Sequence, residues 1–516
     1  MSQPEPPAVR LDAVVDVSAA VAATSSRKAK VALIADLLRR CEASEIATAG
    51  AYLSGVVPQG RLGVGWRSLA TPPPPAEESS LSLAEVDEVF AELAAAAGAG
   101  STKRRRDLLA GLLSAATVAE QDFLRRLITG ELRQGALDAV MLQAIAAAAG
   151  VGEELVRRAA MLAGSVVAVA VPALTGGAEA LSDIRLRVGT PILPMLAGSA
   201  PDVAAAMDSP GPKVVERKLD GIRVQVHREA DRVQVFSRSL EDLTARLPEV
   251  VETVAGLACR AVILDGEVIA LRADGRPEPF QITGARTASH VDPAGLSERV
   301  PLTAWFFDVL HLDGDDLLDE SLSLRRERLS GLLTDRHRVP GIVTSDPLEA
   351  ERWFARTVAE GHEGVLIKDP AAPYAAGRRG SGWIKVKPRH TVDLVVLAVE
   401  QGSGRRRGWL SNIHLGARDP ATGEFVMVGK TFKGMTDDML RWQTERFTEL
   451  MTVRDDGVVR VRPEQVVEIA FDGVQRSRRY PGGVALRFAR VLRYRDDKPV
   501  TEIDTIDSLR ALAGMG

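Results

Sequence analysis

The octet Glu216-Arg217-Lys218-Leu219-Asp220-Gly221-Ile222-Arg223 ends an apolar stretch on a lysine and then turns at Asp-Gly. Val214-Val215 before it and the alternation Arg223-Val224-Gln225-Val226 after it predict two strands flanking that turn, a hairpin. A lysine so placed suits covalent catalysis. Its amine must be partly deprotonated near neutral pH, which calls for desolvation and neighbouring cations. The group it attacks must be polyanionic enough to hold those cations. Other residues could complete such a site. Arg238, in Phe236-Ser237-Arg238-Ser239, could hold a ribose oxygen or a phosphate. Leu264-Asp265-Gly266-Glu267-Val268-Ile269 is an apolar strand interrupted by acids, which is costly unless they face a site. Glu267 is therefore a candidate for a divalent metal or for ribose hydroxyls. Glu363, in Gly361-His362-Glu363-Gly364, is a second candidate metal ligand. Two carboxylates and substrate phosphates would give Mg²⁺ the oxygen shell it prefers. In Trp383-Ile384-Lys385-Val386-Lys387, strand alternation puts both lysines on one face, where they need an anion between them. Trp305-Phe306-Phe307-Asp308 gathers aromatics beside an acid in a chain only 4% aromatic.

Lys218-x-Asp220-Gly221-x-Arg223 resembles the nucleotidyl-lysine motif of the superfamily of ATP-dependent DNA ligases and mRNA-capping enzymes. Companion motifs follow in that superfamily's order: Ser237-Arg238, Asp265-Gly266-Glu267, Phe307-Asp308, Glu363-Gly364, Trp383-x-Lys385-x-Lys387 and Arg495-x-Asp497-Lys498. The similarity covers residues 185–498. It extends more loosely to the N-terminal part, where Gly130-Glu131-Leu132-Arg133-Gln134-Gly135 is similar to a turn in the DNA-binding domain of larger ligases. The resemblance is to the three-domain, bacterial or archaeal type of ATP-dependent DNA ligase. It implies that Lys218 attacks the α-phosphorus of ATP and carries AMP. Glu216 would accept from adenine N6 and Phe307 would stack on the ring, with Phe306 facing the other way. Arg223 and Arg238 would hold sugar and phosphate. Arg379, or the adjoining Arg378, would contact the AMP. Lys385, Lys387 and a Mg²⁺ on Glu267 and Glu363 would offset phosphate charge. Arg495 and Lys498 would orient the departing pyrophosphate. The implied partner is nicked double-stranded DNA, and the implied state a monomer.

At 516 residues the chain has room for about three domains. Residues 1–205 predict an all-α domain, DNA-binding by resemblance: Ser82-Leu83-Ala84-Glu85 and Thr117-Val118-Ala119-Glu120 have capping-box spacing, and Gly130 is placed as a helix C-cap. Pro72 opens a Pro-rich surface segment, and Lys103-Arg104-Arg105-Arg106 is a compact basic run, a pattern that most often marks a solvated face. Pro191-Ile192-Leu193-Pro194-Met195 resembles the approach to a ligase catalytic core. Residues 206–390 predict strands with helices near 240–257 and 347–360, an α+β nucleotidyltransferase domain of ATP-grasp-like ligase type by resemblance. Residues 391–516 predict short strands at 393–399, 412–417, 425–428, 466–471 and 486–495, which suits a small OB-fold β-barrel. Arg405-Arg406-Arg407 and the arginines of 476–479 are candidate phosphate contacts.

A net charge of −4 does not announce a nucleic-acid binder, so local charge must do that work. Two cysteines, Cys41 and Cys259, cannot build a four-cysteine zinc module, which argues against an NAD-dependent ligase, and they fit a reducing cytoplasm. The N-terminus lacks the apolar core of a signal peptide, and residues 159–174, interrupted by Pro172, read as core helix and loop, not a membrane span. An mRNA-capping or RNA-ligase type enzyme would share the lysine core but would not need a large helical domain in front of it. A clamp without catalysis would not need Lys218, Glu267, Glu363 and Lys385 together.

Overall fold

The computed structural model describes residues 9–132, 138–375, 379–455 and 457–513, with backbone only at 379–381 and 405. Arg133, Gln134, Gly135 and Arg378 lie outside the described residues, as do the side chains of Arg379 and Arg405.

From Leu11 to Ser182 the described chain is helical. Both predicted capping boxes form, Ser82 with Glu85 and Thr117 with Glu120. Gly130, at φ +69°, ends the helix Val118–Ile128. Its N–H donates to the Leu127 carbonyl (3.2 Å) and that of Glu131 to the Arg126 carbonyl (2.8 Å), a Schellman turn. These helices share one apolar core reaching from Val9 to Leu181. In the basic run, Lys103, Arg104 and Arg106 are exposed. Arg105 instead turns inward, its Nε donating to the Leu93 carbonyl (3.2 Å) near the C-terminus of the helix Leu83–Ala95. Residues 159–174 finish one helix, turn at Gly164 and begin another. Among the described residues no single helix is long and apolar enough to cross a membrane.

Ten strands follow: β1 (Leu196–Ser199), β2 (Lys213–Lys218), β3 (Ile222–Glu229), β4 (Arg232–Ser237), β5 (Ala261–Ala270), β6 (Leu302–Leu312), β7 (Asp315–Asp316), β8 (Gly341–Thr344), β9 (Gly364–Lys368) and β10 (Arg379–Val386). They build two sheets, ordered β1-β10-β9-β2-β8 and β4-β3-β5-β6-β7. The predicted hairpin across Asp220-Gly221 does not form. β2 pairs with β8 and β9, whereas β3 pairs with β4 and β5. The cause lies at Gly221, where a Cβ would sit 2.3 Å from the Val268 carbonyl oxygen. The turn is pressed onto β5 and carries the chain from one sheet to the other.

β6 carries two bulges. Asp265 pairs with Asp308 and Gly266 with Phe306, skipping Phe307; Ile263 pairs with His311 and Leu264 with Val309, skipping Leu310. The skipped Phe307 and Leu310 join Trp383, Tyr374 and Ile263 in a cluster shared by both sheets. Phe306 and Val309 pack instead with Val250 and Val254 of the helix Pro248–Ala255. The two phenylalanines thus serve opposite faces, as strand alternation predicts. The predicted helices form as Pro248–Ala255 and Pro347–Ala359, and three more, Phe280–Ala288, Pro293–Arg299 and Leu322–Leu332, join them.

A second compact unit begins at Val386. Its strands are β11 (His390–Gln401), β12 (Leu410–Arg418), β13 (Phe425–Thr431), β14 (Met451–Asp455), β15 (Val458–Val461), β16 (Val466–Phe471), β17 (Gly473–Arg476), β18 (Val484–Arg487) and β19 (Arg490–Tyr494). β11 is central, pairing with β12, β15 and β16; β12 leads on to β13, and β16 to β19. This is an OB-like arrangement, but the predicted barrel does not close: among the described residues no ladder joins β13 to β19. A backbone bond from Val491 N–H to the Lys433 carbonyl (2.9 Å) spans that side. The strand predicted over 486–495 is broken at Phe488, whose φ of +54° cannot continue a ladder.

Candidate active site

Glu216 and Lys218 lie two residues apart on β2 and so share a face. Lys218 ends the strand with its side chain 21% exposed. Its ammonium pairs with the Glu363 carboxylate and donates to the Leu219 carbonyl (3.3 Å). Glu363 is fixed there by its own backbone, whose N–H donates to the Lys218 carbonyl (3.0 Å) where β9 meets β2. Glu267 arrives from the other sheet, and its Oε1 accepts the Gly221 N–H at 2.7 Å. Two carboxylates from different sheets therefore converge on the lysine turn. Where the sequence predicts cations beside Lys218, the ion pair the structure gives it is to a carboxylate.

Burial pushes the Glu267 carboxyl from near 4.5 up to about 7. The charge of Glu363 adds to this, while Lys218, the Gly221 N–H and Arg223 oppose it. An acid with a raised pKa holds its proton in the folded chain at pH values where the unfolded chain has lost it. Its stabilising contribution is full below about pH 4.5 and is lost as pH rises through about 7. Glu267→Gln, which does not titrate, is expected to stabilise the chain by about 1–3 kcal/mol at pH 8 and by almost nothing at pH 4. Melting curves at the two pH values check this. Equal stability of variant and parent at pH 8 would contradict it.

Arg223 is held inside the core. Its Nε and Nη2 grip Asp265 (2.9 and 2.6 Å), and Nη1 donates to the Met195 carbonyl (2.6 Å). Tyr374 donates to the same Asp265 (2.7 Å). In this state the guanidinium is committed to protein partners, so a sugar or phosphate would have to compete for it. Glu216 is buried, with one oxygen paired to Arg326 and the other 2.5 Å from Lys368 Nζ. Lys368 is completely buried and lies over the rings of Phe307 (4.7 Å) and Trp383 (4.3 Å). Phe307 meets Trp383 edge to face at 5.7 Å and is 7% exposed, so a stacked base must displace one of the side chains covering it. Motif reading missed Arg326 and Lys368. Lys368 had a signal, a lysine closing the apolar run Val365-Leu366-Ile367; Arg326, within a polar helix segment, had none.

Lys385 lies on β10 opposite Ser199 of β1 and alternates with buried Trp383, so it faces the same side as that ring. The strand ends at Val386; Lys387 follows it, its Nζ 3.2 Å from Asp472 within the second unit. Arg238 is exposed in the turn after β4 and makes no side-chain bond among the described residues. Arg495 and Lys498 both reach Asp393 Oδ2 (3.3 and 2.7 Å), and Arg495 also grips Asp497 through two bonds of 2.8 Å. His362, buried against Trp305, is pushed down to about 4 by burial and by Arg217, consistent with a structural place. Among the described residues no three His, Cys, Asp or Glu side chains are grouped to hold a metal. Glu267 and Glu363 alone suit an ion that takes its remaining oxygens from phosphates and water, as Mg²⁺ does.

Three family models match in chain order: "DNA ligase N terminus" over residues 64–146, "ATP dependent DNA ligase domain" over 194–387 and "ATP dependent DNA ligase C terminal region" over 406–498. A curated relative from Nocardioides sp. (strain JS614), named "Probable DNA ligase", is 60% identical over 514 residues, covering 98% of this chain and 99% of the relative. The chain belongs to the ATP-dependent DNA ligase family. A relative of the same printed name from Beutenbergia cavernae is 59% identical, covering 96% of this chain and 98% of its own. Of solved structures, "Pmar-Lig_Pre." aligns with a TM-score of 0.62 at 19% identity, covering 94% of this chain and 99% of that one, which is a likeness of fold. Against that family background the helical region, the two-sheet core and the OB-like unit are the parts of a DNA ligase.

Proposed function

We propose that the chain seals nicks in duplex DNA through a covalent AMP on Lys218. The observation that carries this reading is the convergence of Glu363 and Glu267, from different sheets, on the lysine turn. In the first step the Lys218 ammonium gives one proton to solvent, and the neutral Nζ bonds to the α-phosphorus of ATP as the bond to the pyrophosphate oxygen breaks. Glu363, which already touches Nζ, takes the departing proton. A Mg²⁺ held by Glu267 and Glu363 would supply Lewis-acid stabilisation of the phosphate charge. Glu216, paired with Arg326 and Lys368, has lone pairs left to accept from adenine N6. Lys385 neutralises the α-phosphate, while Arg495 and Lys498 orient the β,γ-diphosphate. In the second step a 5′-phosphate oxygen at the nick takes the AMP, the P–N bond breaks and the amine recovers its proton. In the third, the 3′-hydroxyl attacks the activated phosphorus and AMP leaves.

The helical region and the OB-like unit would hold the duplex mainly through its phosphates. Exposed Lys103, Arg104, Arg106, Arg407, Arg476, Arg478 and Arg479 supply cations for this. Exposed Phe432 and Phe488, each under a cation from Arg406 or Lys433, add apolar contact. The enzyme would act as a monomer in the cytoplasm, where its DNA and ATP are. The test is incubation with labelled ATP, GTP or NAD followed by denaturing electrophoresis, then addition of nicked duplex. Labelling from ATP alone, with label leaving the protein as the nick closes, is the expected result. Labelling from GTP would point to a capping enzyme, and no labelling to a non-catalytic clamp.

A further inference from the structure

Beside the acids of the site runs a buried polar row. β3 turns Arg223, Gln225 and His227 to one face, while Val224 and Val226 enter the helix-side core. Each polar residue holds one point on the backbone of residues 189–195, the connector between the helical region and the catalytic sheets. His227 Nδ1 accepts the Gly189 N–H (2.9 Å). Gln225 Oε1 accepts the Ile192 N–H (2.8 Å), and its Nε2 donates to the Ile192 carbonyl (3.3 Å). Arg223 donates to the Met195 carbonyl (2.6 Å), and the Met195 N–H donates to the Tyr374 hydroxyl (3.0 Å). The pinned points recur every third connector residue, against every second residue of β3. His227 and Gln225 also bond each other, Nε2 to Oε1 at 2.9 Å. Both are at most 4% exposed. Burial pushes His227 down to about 3, which keeps the ring neutral, so Nδ1 can accept while Nε2–H donates.

The connector's other side carries the helical region. The Leu193 N–H donates to the carbonyl of Met161, in the last turn of the helix Glu153–Leu162 (3.0 Å). A Cβ on Gly164 would lie 2.6 Å from the Pro191 carbonyl oxygen. Met161 and Leu162 then join Ile192 in the apolar cluster that holds Phe307 and Trp383. A segment that only linked two domains could stay at the surface and satisfy its backbone with water. This one is buried at Ile192 and Met195 and held there by dedicated side chains, and burying polar groups is worthwhile only when all are satisfied.

We propose that Gln225 and His227 are positioning residues for nick sealing: by pinning residues 189–195 they fix the helical region relative to Lys218. The proposal rests on the DNA-ligase reading above. Lysine adenylylation needs ATP, the catalytic sheets and the Arg495/Lys498 pair, but not the helical region. Transfer to a nick also needs the duplex held over Lys218-AMP, where small displacements are costly.

The test uses the full-length chain carrying Gln225→Leu and His227→Phe. Enzyme-AMP formation should stay within about twofold of the parent, while KM for nicked duplex rises about tenfold or more and kcat at saturating DNA changes little. His227→Asn, whose side-chain oxygen can still accept from Gly189, should lie nearer the parent than His227→Phe. If the double variant does not fold, Gln225→Leu alone, which leaves the His227–Gly189 bond, carries the same comparison. Adenylylation and sealing falling in parallel, or an unchanged KM for nicked DNA, overturns the proposal. A parent enzyme that neither labels with ATP nor seals overturns the ligase reading instead.

Discussion

Lys218→Ala is expected to abolish transfer of label from ATP to the protein, a loss on the order of 10⁴-fold or more. The reasoning is structural as well as chemical. Lys218 is the strand-end amine between Glu363 and the Gly221 turn, and its side chain is partly open to solvent. Lys368, on the neighbouring strand, is completely buried and committed to Glu216. It cannot substitute as nucleophile without leaving a buried carboxylate short of a partner. A nick supplied with AMP already on its 5′-phosphate bypasses the lysine, so the variant should still close it. Persistent labelling of Lys218→Ala would remove the covalent assignment.

The second large effect concerns Arg495 and Lys498. The double variant Arg495→Ala/Lys498→Ala should lose enzyme-AMP formation by about a hundredfold or more, yet close a pre-adenylylated nick within about threefold of the parent. Both cations converge on Asp393, and Arg495 is further fixed by Asp497, so they are presented as one ordered pair. A paired cation of this kind suits a pyrophosphate leaving group, which is present only in the first step. Lys385→Ala should impair both assays, because the α-phosphate it neutralises persists through every step. Equal loss of adenylylation and sealing in the Arg495/Lys498 variant would make the motif part of the DNA-binding surface or of the unit's own structure.

The parts legible in the sequence are those whose physics is local. The capping boxes at Ser82 and Thr117 and the C-cap at Gly130 need only a few adjacent residues, and all three form. The spacing from Glu216 to Arg223 singles out Lys218 because it is confined to one strand end and one turn. What the sequence hid depends on contacts across sheets. An Asp-Gly turn between apolar runs reads as a hairpin, and only the packing of Gly221 on β5 shows that it changes sheets. Phe307 could be placed opposite Phe306 by alternation, but it is a bulge, which pattern does not reveal, that carries it past the β5 ladder. Lys387 sits in register with Lys385 on paper, yet the strand stops between them and Asp472 takes it. Phe488 has the composition of a strand residue and a backbone that ends one. Arg223 looked like a ligand for sugar or phosphate; its partner Asp265 lies 42 residues away and its carbonyl partner at Met195 28 residues before it.

The central claim is that Lys218 Nζ is the atom that carries AMP to DNA. The measurement that tests it most directly is mass spectrometry of the full-length chain after ATP and Mg²⁺, with peptide mapping before and after a chase with nicked duplex. The account predicts a single AMP adduct on the peptide containing Lys218, stable until DNA is added and lost as the nick closes. An adduct on any other residue, or one on Lys218 that nicked DNA does not discharge, would contradict it.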